Sequence, residues 1–221
     1  MKEFLKKYNH AIAILYLPFY LFCFTGLERR NKTDYYIMES ELDQFIPFCE
    51  WFVIPYFLWF AYIAVTCIYF FFADKQDFIR LCVFLFTGMT ICLIIYYLWP
   101  NGQNLRPDLT ALGRENIFTR ILSKLYSTDT HTNVCPSIHT FNSVGACIAI
   151  YKSKALKNKK VIRIGSLILT ISICLSTVCL KQHSILDVFW ALVLAVPMYL
   201  LAYLPKRTFA AQQIRKKASA N

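Results

Sequence analysis

The chain has 221 residues, 57% of them hydrophobic and 17% charged, with 24 Lys and Arg against 13 Asp and Glu for a net charge of +11. A soluble domain carries about 25% charged and about 45–50% apolar residues. This composition therefore argues against a soluble globular fold, a disordered chain and a basic nucleic-acid-binding domain, and the excess positive charge calls for lipid headgroups instead.

A spanning helix needs about 20 mostly apolar residues, and six segments are predicted to span. The first, 8–27, follows a basic start (Lys2, Lys6, Lys7). Thr25-Gly26-Leu27-Glu28 is no small-x-small cleavage site, so a retained helix is expected rather than a removed signal. The acidic, aromatic loop 28–47 leads to the second span, 48–73, which is uncharged from Trp51 onward. The third is 78–99. The loop 100–136 is the longest, at 37 residues. Within it Ile117, Phe118, Ile121, Leu122, Leu125 and Tyr126 fall on one helical face, and Asn116, Arg120, Ser123, Lys124 and Ser127 on the other. That pattern predicts an amphipathic helix, either lying on the outer membrane surface or packed as a cap over the bundle. The fourth span, 137–151, is short. The fifth is 161–180 and the sixth 184–204. Pro18, Pro55 and Pro197 fall inside spans, where membrane helices tolerate them. The expectation is one all-α domain over 1–205, a six-helix membrane bundle with an outer-face helix, and a basic cytoplasmic tail at 206–221.

Six spans put both termini on one side. That side holds 16 of the 24 Lys and Arg and the other holds 8. The richer side is expected to be cytoplasmic, which makes the Lys152–Lys160 run a topology determinant beside anionic lipid. The nine cysteines form no Cys-x-x-Cys pair and no zinc-spaced cluster. Most sit in apolar runs, where Cys acts as a small hydrophobe. No metal, cofactor or nucleic-acid partner is expected.

Three polar clusters fall at the predicted outer face. Asn101-Gly-Gln103-Asn-Leu-Arg106-Pro107 follows the third span and offers a guanidinium able to grip phosphate bidentately. Cys135-Pro136-Ser137-Ile138-His139 opens the fourth, where free backbone N–H groups and a hydroxyl suit an anion and His139 can donate a proton. Lys181-Gln-His183-Ser-Ile-Leu-Asp187 opens the sixth, with His183 and Asp187 four apart on one helical face. There a carboxylate can fix the imidazole tautomer. Each cluster alone is as well explained by a capped helix, a stapled helix start or an interfacial arginine.

Together they resemble the type-2 phosphatidic acid phosphatase superfamily, which includes vanadium haloperoxidases and inositol phosphorylceramide-type synthases. The resemblance covers roughly the last two-thirds of the chain. Asp43-Gln-Phe-Ile-Pro-Phe, Ile54-Pro-Tyr and Trp59-Phe look like the inositol phosphorylceramide synthase-like branch. The resemblance implies that His183 is a nucleophile forming a phosphohistidine, Asp187 its orienting carboxylate and His139 the general acid. Ser137 and Arg106 would bind phosphate oxygens, without metal. Three positions depart from the family pattern. Trp99 stands where a Lys opens the first motif, Ser176-Thr177 where the third has Ser-Arg, and Ile138 where the second has Gly. Losing a donor aimed at developing charge costs about 2.7–4 kcal/mol, so Lys181 and Gln103 are expected to compensate. The implied activity is hydrolysis of a lipid phosphate monoester or diphosphate at the outer leaflet of the cell membrane. Headgroup transfer to a lipid alcohol, and non-catalytic lipid binding or transport, stay open.

Overall fold

The structure, a computed structural model, describes residues 9–30 and 34–204. The basic start and the expected tail at 206–221 lie outside the described residues. A 3-10 turn, Asn9–Leu15, leads into α1 (Tyr16–Glu28). After β1 (Tyr36–Ile37) and the one-turn α2 (Leu42–Phe45), a short 3-10 turn, Glu50–Phe52, opens α3 (Val53–Ala73). Asp74 then caps α4 (Lys75–Leu98) by accepting from the Asp77 N–H at 2.8 Å. The long loop holds β2 (Asn101–Gly102) and α5 (Ile117–Thr128). Three helices complete the bundle: α6 (Ile138–Lys152), α7 (Lys160–Cys179) and α8 (Ile185–Tyr203).

Among the described residues five helices are long and apolar enough to cross a membrane: His10–Glu28, Glu50–Ala73, Lys75–Leu98, Lys160–Cys179 and Ile185–Tyr203. Their outer faces are apolar to the tips, with Phe22 78%, Phe72 69% and Val161 85% exposed. So much contiguous apolar surface is out of place in water and fits a multi-pass membrane protein. The predicted fourth span is α6, and it does not reach the length of the other five. Its 15 residues rise about 22 Å, against a hydrocarbon core of about 30 Å. The reason is its position. It packs against α3, α4, α7 and α8, and nine of its residues are buried. A helix clad in protein need not match the lipid.

Two glycines let α4 and α6 approach. A Cβ on Gly88 would lie 2.0 Å from the Phe141 ring, and one on Gly145 would lie 2.6 Å from the Phe84 ring. Each aromatic fills the other helix's notch, and the two rings stack at 4.9 Å. Polar pairs tie further helices together. Tyr62 shares hydrogen bonds with Ser166 (2.6 Å) and Thr170 (3.2 Å), and the Thr170 hydroxyl donates to the Ser143 carbonyl at 3.2 Å.

One end of the bundle is closed by loops. β1 pairs in parallel with β2, and the other edge of β2 meets the 131–133 segment through Gln103 N–H to His131 O (2.9 Å) and Asn133 N–H to Asn101 O (2.7 Å). Of the two placements open for the amphipathic helix, α5 is docked on the bundle. Leu122 is fully buried beside Val53, Tyr56 and Leu180. Glu50 holds its start, accepting from Arg114 (2.8 Å) and Asn116 (3.1 Å). Ile117 and Ile121 still face outward. All nine cysteines are free thiols.

Candidate active site

The three polar clusters meet at this closed end. Ser184 begins α8 as an N-cap, with its hydroxyl accepting from the Leu186 N–H at 3.2 Å. Asp187, three residues on, reaches back to accept from the Ser184 N–H at 3.0 Å, the reciprocal arrangement that satisfies two free donors at a helix start. The same Oδ2 lies 3.1 Å from His183 Nδ1. The helix cap and the histidine orienter are thus one carboxylate. With Nδ1 occupied, His183 presents Nε2 to the cavity that it lines.

α6 delivers the second imidazole. Asn101 clamps the chain just before it. Its side-chain oxygen accepts from the N–H groups of Val134 (2.9 Å) and Cys135 (2.8 Å), and its amide donates to the Cys135 carbonyl at 3.0 Å. Tyr96 donates to the Pro136 carbonyl at 2.5 Å. Ser137 is the N-cap, its hydroxyl accepting from Thr140 N–H at 3.3 Å, while its own N–H donates to the Asp187 carbonyl at 3.0 Å. His139 follows one turn in, packed against the rings of Tyr56 (4.7 Å) and Trp59 (4.5 Å). The His139 and His183 ring centroids are 5.6 Å apart at 62°. Both rings line one small cavity with Phe24, Tyr96, Asp129, Thr130, Thr132, Asn133, Val134, Ile138 and Gln182.

The other four site residues have different surroundings. The Arg106 guanidinium is held by the carbonyls of Tyr126 (3.1 Å) and Thr130 (2.8 Å) and by the Gln182 side-chain oxygen, and it stacks on the Tyr126 ring at 4.5 Å. It stands behind Gln182 relative to the cavity wall, and burial lowers its pKa from the ordinary value. Lys181, in the left-handed region at φ 53, turns its ammonium away to the carbonyls of Asp43 (2.7 Å) and Ile46 (2.6 Å). Gln103 donates to the Lys181 carbonyl at 2.9 Å. Ser137 is fully buried as the α6 cap. The geometry brings His139, His183 and Asp187 together, and it ties Lys181 and Gln103 to the surrounding scaffold.

Three contributors escaped the sequence reading. Asp43 grips the α8 start, accepting from the Ser184 hydroxyl (2.6 Å), the Ile185 N–H (2.8 Å) and the Ser40 N–H (2.8 Å). Gln182 bridges Arg106 to Asp129, whose Oδ2 lies 3.5 Å from its amide. Asp129 lines the cavity and also accepts from the Tyr56 hydroxyl at 2.9 Å. Burial raises its pKa above the ordinary carboxylate value, against the hydrogen bond from Tyr56 and the nearby His183 and Arg106. Asp43 and Gln182 lay in segments that the sequence singled out, without a role of their own, and Asp129 lay in none. No group of three or more potential metal ligands occurs among the described residues.

A model of the PAP2 superfamily matches residues 77–209. The matched stretch includes Arg106, Ser137, His139, His183 and Asp187; Asp43, Tyr56 and Trp59 lie ahead of it, as does the segment that looked like the inositol phosphorylceramide synthase-like branch. No curated protein and no solved structure matches the chain. With His139 and His183 lining one cavity and a family match over more than half its length, the chain belongs to the PAP2 superfamily.

Proposed function

We propose that the chain is a membrane lipid phosphotransfer enzyme that works through a phosphohistidine on His183, with water as the acceptor. PAP2 membership suggests phosphatase or related phosphotransfer activity. The observation that carries the assignment of roles is the asymmetry of the two imidazoles. They face one cavity 5.6 Å apart, and only His183 is backed by a carboxylate, at 3.1 Å. Asp187 holds the tautomer with the proton on Nδ1, so the Nε2 lone pair is free to attack phosphorus. As the N–P bond forms and the bond to the leaving alcohol breaks, protonated His139 gives that oxygen its proton. Neutral His139 then takes a proton from water, whose oxygen attacks phosphorus and restores His183. The N–H groups at the start of α6 favour the charge that develops on the phosphoryl oxygens.

α6 completes the membrane bundle as a sixth, protein-clad helix, with the cavity at the outer face and both termini in the cytoplasm. The Lys and Arg asymmetry supports that orientation, and the apolar cavity residues Phe24, Val134 and Ile138 suit a lipid substrate. Transfer to a lipid alcohol is the second reading, favoured by the same apolar lining, which can admit a second acyl-chain alcohol in place of water. The test is His183→Ala in purified protein against a panel of lipid phosphoesters. Turnover should fall at least about 1,000-fold, and acid-labile label from a ³²P-lipid should vanish from the protein. Turnover that survives unchanged would remove His183 from the mechanism and leave lipid binding on a PAP2 fold.

A further inference from the structure

α5 has three sides. One is docked: Leu122 is buried against Val53, Tyr56 and Leu180, and the Tyr126 hydroxyl donates to the Leu180 carbonyl at 2.5 Å. A second is polar and exposed, and carries Arg120, Ser123, Lys124 and Ser127. The third is apolar and exposed. Ile117 and Ile121, four residues apart and so on one helical face, are 61% and 37% exposed. Docking on the bundle does not account for that third side.

The neighbouring α3 does. Ile54, Leu58, Val65 and Phe72 are all exposed, at steps of four and seven residues that keep them in one stripe along the helix. Trp51, three residues before Ile54 and 60% exposed, extends the stripe past the start of α3. The Trp51 ring meets the Phe118 ring at 4.3 Å, and Phe118 follows Ile117 in the chain. The lipid-facing stripe of a spanning helix therefore continues onto α5 through one aromatic contact. Tryptophan suits such a junction, because its ring is apolar, its N–H is polar, and the headgroup level of a bilayer satisfies both. Ile117–Thr128 contains no Asp or Glu. Its two cations, Arg120 and Lys124, stand three residues after Ile117 and Ile121, and long stems of that kind cross apolar surface to leave the charge at phosphate level. Arg120 pairs with Glu115 at 3.0 Å, but both side chains are more than two-thirds exposed, where water screens the pair.

We propose that α5 is an interfacial helix as well as a docked one: Trp51, Ile117 and Ile121 sink into the leaflet at the cavity end of the bundle. The occupant of this surface is bilayer phospholipid, and the assignment does not depend on the phosphotransfer reading. It has a consequence for the cavity. α5 is 12 residues long, a rise of about 18 Å, and Asp129, which caps its far end, lines the two-histidine cavity. The cavity then lies within one short helix of the headgroup layer.

The test uses the full chain in phospholipid nanodiscs. On a cysteine-free background, nitroxides at Ile117→Cys and Ile121→Cys should be relaxed by oxygen, which concentrates in lipid, at least about threefold more than by a water-soluble nickel chelate. Val65→Cys should behave in the same way and Ser123→Cys in the opposite way. Labels at 117 and 121 that match Ser123→Cys overturn the proposal. Labels shielded from both reagents overturn it as well, because a second copy or another protein would then cover this side. The unmodified chain gives a second measurement, which decides alone if the cysteine-free chain does not fold. A lipid-borne carbene probe should label Trp51, Ile117 and Ile121 along with Ile54, and labelling that stops at Ile54 rejects the interfacial helix.

Discussion

Lys181 shows how far one side chain's direction changes a functional reading. Two residues before His183, it stands in sequence as a replacement cation, but its left-handed backbone sends the ammonium to the 43–46 turn. Hydrogen bonds from a charged donor contribute about 1.5–3 kcal/mol, so Lys181→Met should lower unfolding stability by about that amount. Inhibition by inorganic phosphate should change less than twofold, whereas a lysine gripping phosphate would lose about tenfold. Asp129 makes the opposite case, a side chain that costs stability where it stands. Tyr56 faces it from α3, Gln182 and His183 from the start of α8, Arg106 from the long loop and Glu28 from α1. Burial nonetheless raises its pKa. A folded-state pKa above the unfolded value means that ionised Asp129 weakens the fold at pH values above the folded pKa. The penalty fades as pH falls through the folded pKa towards the unfolded value. Asp129→Asn should therefore melt higher than wild type at neutral pH, with the gap closing on acidification. A gap independent of pH would mean that the charge is not its source.

At the scale of elements, the glycine notches carry the α4–α6 contact. Gly88→Ala puts a methyl into the Phe141 ring, and overpacking a tight core costs about 1–3 kcal/mol. Thermal unfolding should report that loss, and Phe141→Leu in the same chain should recover part of it, because the two sites share one contact. Hydropathy located the five long helices, since each presents an apolar face to lipid. It overstated the segment at 137–151, because a helix enclosed by four others is apolar for a different reason. The His183–Asp187 pair was legible because helical spacing fixes it locally. The places of Asp129 and Asn133 in the cavity lining were not. Asp129 sits in a Ser-Thr-Asp-Thr stretch with no pattern of its own, and it reaches the cavity only because α5 docks through Leu122. Asn133 depends likewise on the clamp from Asn101.

For the whole molecule, the distribution of basic residues makes an orientation claim that can be read directly. On a cysteine-free background, Thr110→Cys should react with a membrane-impermeant thiol reagent in intact cells. Lys154→Cys should react only after permeabilisation, and the reverse pattern would turn the cavity toward the cytoplasm. The grip of Asp43 on the first turn of α8 has a consequence for where the working unit begins. A fragment trimmed to the matched stretch 77–209 would keep both histidines yet lose the carboxylate that seats the start of α8 beside His183. It would also lose the aromatic walls behind His139, contributed by Tyr56 and Trp59. Such a fragment would be an incomplete machine, because recognisable ancestry and mechanical self-sufficiency end at different residues in this chain.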